Sequence, residues 1–198
     1  TNECIPKSGQ PKNNSKYVTK LRGSLMTNAT ELHAKFGNVF SLDLFAPLEP
    51  VHKDLIESIR HKDAPGNKVV YRYYNAPSSW GIEGKHTKAV HVQLGSGSYF
   101  APHRDYFNQL QPNFVRLNCF VNNTHPEETT YVVDGKIQYF KPGQWMCVNS
   151  SVVHYSFCFA ENTVHYIVDI DISDANTLNW FLSKVSYCNR PVGVEGYK

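Results

Sequence analysis

The chain has 198 residues, 41% of them hydrophobic, and a formal net charge of +3. Its length fits one domain with a real core. The scattered Lys and Arg argue against nucleic acid as a partner, because such binders gather their basic residues on one face. No apolar run approaches the length of a membrane span, and the polar N-terminus "TNECIPKSGQPKNNSKYVTK" has no apolar core of a signal peptide. The five cysteines, Cys4, Cys119, Cys147, Cys158 and Cys188, are odd in number and form no CxxC pair. That argues against a disulfide framework or a thiolate zinc site and sets the expectation of a reducing, cytoplasmic location.

In chain order, residues 1–25 read as an extended arm, followed by the apolar stretch "VFSLDLFAPL" (39–48). Val51, Leu55, Ile56 and Ile59 recur at helical spacing after Pro50, so the sequence predicts a helix over about 50–61. From Lys68 the period becomes two. The runs 68–74, 86–94, 113–121, 129–140, 144–150, 154–159 and 163–172 are rich in β-branched and aromatic residues and are separated by turn signals. Asp134-Gly135 sits between two such runs, the strongest hairpin signal in the chain. A closing helix carries the stripe Ala175, Leu178, Phe181, Leu182 and Val185, with Asp174 placed to cap it. About eight short strands at this spacing predict a mainly β sandwich or jelly roll with a few flanking helices.

Within "YFAPHRDYF" (99–107), His103 and Asp105 are two residues apart. On a strand, such positions share a face and can aim at one point. Two histidines and one carboxylate on one side of a metal suit non-haem Fe(II) chemistry with oxygen. His154, opening "HYSFCF", is the best third ligand; His125, in the loop-like "NNTHPEE", competes. His86, His91 and His165 also fall on strands. The plain alternative is a polar turn pair at 103–105 and a hydrogen-bonded core histidine at 154.

Five segments taken together carry a resemblance: "PHRD" (102–105), "RLNCFVNN" (116–123), "DGKIQYFKPGQWMCVN" (134–149), "VVHYSF" (152–157) and "HYIVDIDI" (165–172). In order and spacing they resemble the aspartyl/asparaginyl β-hydroxylase-like branch of the Fe(II)/2-oxoglutarate dioxygenases, which includes free L-proline cis-hydroxylases. The match spans roughly 86–172. It implies a double-stranded β-helix core over 68–172, Fe(II) held by His103, Asp105 and His154, and 2-oxoglutarate as cosubstrate. The implied reaction consumes O2 and hydroxylates a C–H bond of a free amino acid or of a peptide side chain. The resemblance also implies that Arg116 contacts 2-oxoglutarate, with Asn118 and Phe114 sharing its inward face.

The chain departs from the family at one place. A second Arg is usual about ten residues after the distal His, where Thr163 or Val164 stands here; no Lys or Arg occurs between Lys141 and Lys184. The far carboxylate of 2-oxoglutarate then needs Arg116, or else Arg72, Lys88 or Arg104, with His165 placed to donate a hydrogen bond. The substrate walls are expected from loops 75–85 and 104–113. Arg104 or Arg72 is a candidate partner for a substrate carboxylate, and Trp80 is a candidate wall or, more ordinarily, packing. The missing Arg also supports a metal-binding jelly roll without oxygenase activity, and a metal-free interaction sandwich is the third reading.

Overall fold

A computed structural model describes residues 28–46, 69–87, 89–105 and 111–186, and the backbone of 57–60. Among the described residues there are eleven strands: β1 (Val39–Phe45), β2 (Glu57–Arg60), β3 (Val69–Tyr74), β4 (Ala89–Leu94), β5 (Tyr99–His103), β6 (Phe114–Phe120), β7 (Thr129–Val133), β8 (Lys136–Gln138), β9 (Gln144–Val148), β10 (His154–Cys158) and β11 (Thr163–Asp171). Helices α1 (Ala29–Phe36) and α2 (Ala175–Lys184) flank them. One sheet has the order β1-β9-β6-β11-β4-β3-β2 and the other β5-β10-β7-β8. Every pairing is antiparallel. This is a double-stranded β-helix, or jelly roll.

Side-chain alternation gives the larger sheet two buried faces. Val115, Leu117 and Cys119 of β6, Trp145 and Cys147 of β9, and Tyr166, Val168 and Ile170 of β11 pack against Leu32 of α1 and Trp180 and Phe181 of α2. The opposite face meets the smaller sheet. There Phe120, Met146 and Val148 cluster with Tyr131 and Val133, while Val92 and Leu94 pack around Cys158. Each apolar side chain buried in this way contributes roughly 1.5–3 kcal/mol. The polar side chains of Arg116, Asn118, His165 and Asp169 interrupt that inner face, because their strand positions alternate with the helix-facing set.

Local signals explain several elements. Asp134 (φ 51°) and Gly135 (φ 73°) turn the β7–β8 hairpin, the paired left-handed conformations that a two-residue Asp-Gly loop favours. The Asp174 carboxylate accepts from Thr177 N at 2.9 Å and caps α2. Cys119, Cys147 and Cys158 are free and buried; Cys4 and Cys188 lie outside the described residues. Among the described residues no helix is long and apolar enough to cross a membrane.

One expectation needs correction. The helix expected over 50–61 is a strand at 57–60, paired in register with β3 from Glu57↔Tyr73 to Arg60↔Val70. The open edge of β3 offers unpaired backbone groups, and satisfying them outweighs a short stripe at helical spacing. Residues 50–56 lie outside the described set, as does the arm at 1–25. Helix α1 went unread, although Asn28 accepts from Glu31 N at 3.0 Å as its N-cap and Gly37 closes it.

Candidate metal centre

The last residue of β5 and the first of β10 are register partners, His103 and His154. Asp105 lies just beyond β5, and its backbone N donates to Ser150 O at 2.9 Å, so the loop before β10 fixes its place. That loop is itself braced, with Asn149 Nδ2 donating to Asn38 Oδ1 at 2.8 Å. The ligating atoms of His103, Asp105 and His154 all lie within 4.8 Å of one another. His103 Nε2 is 3.6 Å from Asp105 Oδ1, and His154 Nε2 is 3.7 Å from Asp105 Oδ2.

The tautomers follow from the backbone. His103 Nδ1 lies 2.7 Å from Ala101 O and His154 Nδ1 lies 3.0 Å from Val152 O. A carbonyl only accepts, so each Nδ1 carries the proton and each Nε2, the nitrogen near Asp105, keeps its lone pair. Neither bond involves Asn149 or Tyr155, polar neighbours of His154 in the sequence. Burial lowers the His154 pKa below its ordinary value; the Val152 hydrogen bond and the Asp105 charge oppose that, and His103 and Arg116 add to it. A neutral imidazole is the form that binds a metal. Two oriented Nε2 atoms and a carboxylate, gathered on one side, fit a divalent first-row metal.

Arg116 stands behind the carboxylate. Its Nη1 donates to Asp105 Oδ2, while Nε and Nη2 make a two-pronged bond to Asp169, each 2.8 Å long. Arg116 and Asp169 face each other in the β6–β11 register. Burial alone would lower the Arg116 pKa, but the Asp169 hydrogen bonds and the charges of Asp169 and Asp105 outweigh it and the net shift is upward. Arg116 is permanently charged, with both neighbouring carboxylates already on it.

The centre opens on a cavity of about 260 Å³ that is lined by all three candidate ligands, Arg116, Asn118 and His165. Tyr71, Tyr73, Phe100 and Tyr131 are among its walls. Burial, with smaller contributions from Tyr73 and Asp105, pushes the Tyr71 phenol up to about 12, so that side chain stays uncharged. His165 stacks on Phe120 at 4.2 Å, and its Nε2 lies 2.7 Å from Asn118 Oδ1. Burial, then the charges of Arg116, His91 and His154, holds His165 down at about 3.

The other sequence candidates fall elsewhere. Arg72 alternates with Tyr71 and Tyr73, lies outside the cavity lining, and donates from Nη1 to Gln93 Oε1 at 2.9 Å. Arg104 is exposed and also outside the lining. Trp80 is 1% exposed and packs on the helix side against Tyr166 and Trp145, at 4.7 and 5.2 Å between ring centroids. Thr163 is buried and accepts from Asn123 Nδ2 at 3.0 Å, with Cys158 Sγ at 3.1 Å. His125 is in an exposed loop beside Glu127. Lys88 lies outside the described residues. Sequence reading missed Asp169, whose only signal was a carboxylate inside the apolar strand "HYIVDIDI".

No protein-family model and no curated protein sequence matches the chain. Among solved structures it is similar to KdgF from Halomonas sp., at 12% identity and TM-score 0.40, over 64% of this chain and 98% of that one. It is similar to a predicted oxalate decarboxylase from Thermotoga maritima at 15% identity and TM-score 0.39, over 62% and 98%. It is also similar to a cupin-2 domain from Rhodospirillum rubrum at 9% identity and TM-score 0.41, over 64% and 77%. At these identities and scores the neighbours assign no chemistry to this chain, and the fold rests on the strand order above.

Proposed function

We propose that the protein is an Fe(II)- and 2-oxo-acid-dependent dioxygenase that hydroxylates a C–H bond of an amino acid or of a peptide side chain. 2-Oxoglutarate is the cosubstrate named by the sequence resemblance. The observation that carries this reading is the convergence of His103 Nε2, His154 Nε2 and the Asp105 carboxylate at the mouth of one cavity. Bound Fe(II) supplies the redox chemistry that lets O2 react with a 2-oxo acid and a C–H bond.

The chain's own residues do the rest. Backbone carbonyls of Ala101 and Val152 hold the two imidazoles in the ligating tautomer. Arg116 fixes Asp105 without competing for its outer oxygen, Oδ1. Tyr71, Tyr73, Phe100 and Tyr131 wall the cavity and displace water from it. His165 orients the Asn118 amide toward the bound ligand.

The test is release of CO2 from C1 of a panel of 2-oxo acids, 2-oxoglutarate included, by Fe(II)-loaded protein in air. Turnover that disappears in His154→Ala is expected. A wild-type protein that binds Fe(II) but decarboxylates none of the panel overturns the oxygenase. That result would favour the second reading, a metal-binding jelly roll without oxygenase activity, which the engagement of Arg116 by two carboxylates supports.

A further inference from the structure

We infer that Asp169 sets the charge of the ligand this cavity accepts: by occupying the fork of Arg116 it selects a molecule with one carboxylate and an uncharged hydrogen-bond acceptor at its far end, met by Asn118. The inference rests on the metal reading above and goes beyond it in naming the ligand's class.

Among the described residues that line the cavity, Arg116 is the one Lys or Arg. Its Nε–Nη2 edge, the edge that grips a carboxylate in two prongs, is taken by Asp169 at 2.8 Å on both contacts. Its remaining Nη1 reaches Asp105. The fixed charges at the centre are therefore two carboxylates and one guanidinium. A divalent cation leaves that set with one net positive charge, which one ligand carboxylate neutralises. A second carboxylate deeper in the cavity would be desolvated with no counter-charge, and that is costly.

The far wall is neutral and has a donor to offer. Asn118 is two residues from Arg116 on the same face of β6 and is 1% exposed. Its Oδ1 is engaged by His165 Nε2 at 2.7 Å. Its Nδ2 is buried without a hydrogen-bond partner among the described residues. An unpaired buried donor is expensive, so a built site of this kind is completed by an acceptor. A carbonyl, ester or amide oxygen fits it without bringing charge.

The experiment uses the full chain loaded with Mn(II) under anaerobic conditions. Titration calorimetry compares 2-oxoglutarate with its 5-methyl ester, which keeps the 2-oxo acid and replaces the far carboxylate by a neutral acceptor. In wild type the ester binds tighter by about ten-fold or more, and Asp169→Asn reverses the order by releasing Arg116. In Asn118→Ala the ester loses about ten-fold in affinity while Mn(II) binding is unchanged. Mn(II) binding with tighter 2-oxoglutarate than ester in wild type overturns this inference and leaves the metal reading standing. Binding of neither acid to the Mn(II) protein also overturns it. Failure to bind Mn(II) at all removes both readings. The wild-type comparison decides the matter even if Asp169→Asn does not fold.

Discussion

His103 and His154 face each other across the β5–β10 pair with ring centroids 4.3 Å apart, and each gives its Nδ1 proton to the carbonyl two residues before it. The two rings are thus oriented before any ligand arrives. A metal that binds them stabilises the folded chain by mass action, about 2.7 kcal/mol at a hundred times its dissociation constant. Mn(II) is expected to raise the melting temperature of wild type and to raise those of His103→Ala and His154→Ala by much less, since each keeps only one imidazole and the carboxylate. His103 has 43% of its side chain exposed, so His103→Ala should melt within a few degrees of wild type without metal.

The Arg116–Asp169 pair is largely buried, with 18% and 9% of the side chains exposed. Removing one partner strands the other. Arg116→Met is expected to cost about 3 kcal/mol in urea denaturation, because Asp169 then lacks its counter-charge. Adding Asp169→Leu to it should return a good part of that loss. A double variant as unstable as the two single losses combined would show that the pair does not act as a unit.

Trp80 separates packing from chemistry. Its ring is enclosed by Tyr74, Tyr166 and Trp145 on the helix side of the larger sheet, away from the metal centre. Trp80→Ala should cost about 3–5 kcal/mol of stability through the hole it leaves. Mn(II) affinity should not change. A stable variant with weakened ligand binding would instead place Trp80 at the substrate.

Acid should weaken the fold through its buried histidines. His165 stays unprotonated in the folded chain down to about 3, and burial also holds the His33 pKa below its ordinary value. The unfolded chain takes up those protons near pH 6.5, so stability is full above that pH and falls as pH drops below it. For His165 the loss continues toward pH 3 and is on the order of 2 kcal/mol between pH 7 and pH 5. Urea midpoints measured across that range should fall, and His165→Gln should flatten the slope. An unchanged slope would mean that His165 is solvated or already charged.

Much of the fold was legible because its signals are local. Asp134-Gly135 marks a turn whatever surrounds it, and Asp174 caps a helix through its own neighbour Thr177. The three candidate ligands could be read from an i, i+2 pair and a distal His in a recurrent order of segments. What was hidden depends on register and on facing. Asp169 becomes a partner of Arg116 only once β11 lies against β6. Tyr71 and Tyr73 face the cavity and Arg72 does not, a choice that alternation alone leaves open because it does not say which face is inward. β2 was misread because the force that makes it a strand is the free edge of β3, not its own sequence. Trp80 sits in a loop by sequence and in the core by packing, since the 3-10 turn at Ser78–Trp80 folds back onto the sheet.

The most direct test of the metal centre is pulsed electron paramagnetic resonance on Mn(II)-loaded protein, with metal content measured alongside. One Mn(II) per chain with couplings from two imidazole nitrogens is expected, falling to one imidazole in His103→Ala. Mn(II) that binds without imidazole couplings, or couplings that persist unchanged in both His103→Ala and His154→Ala, would contradict the centre described here.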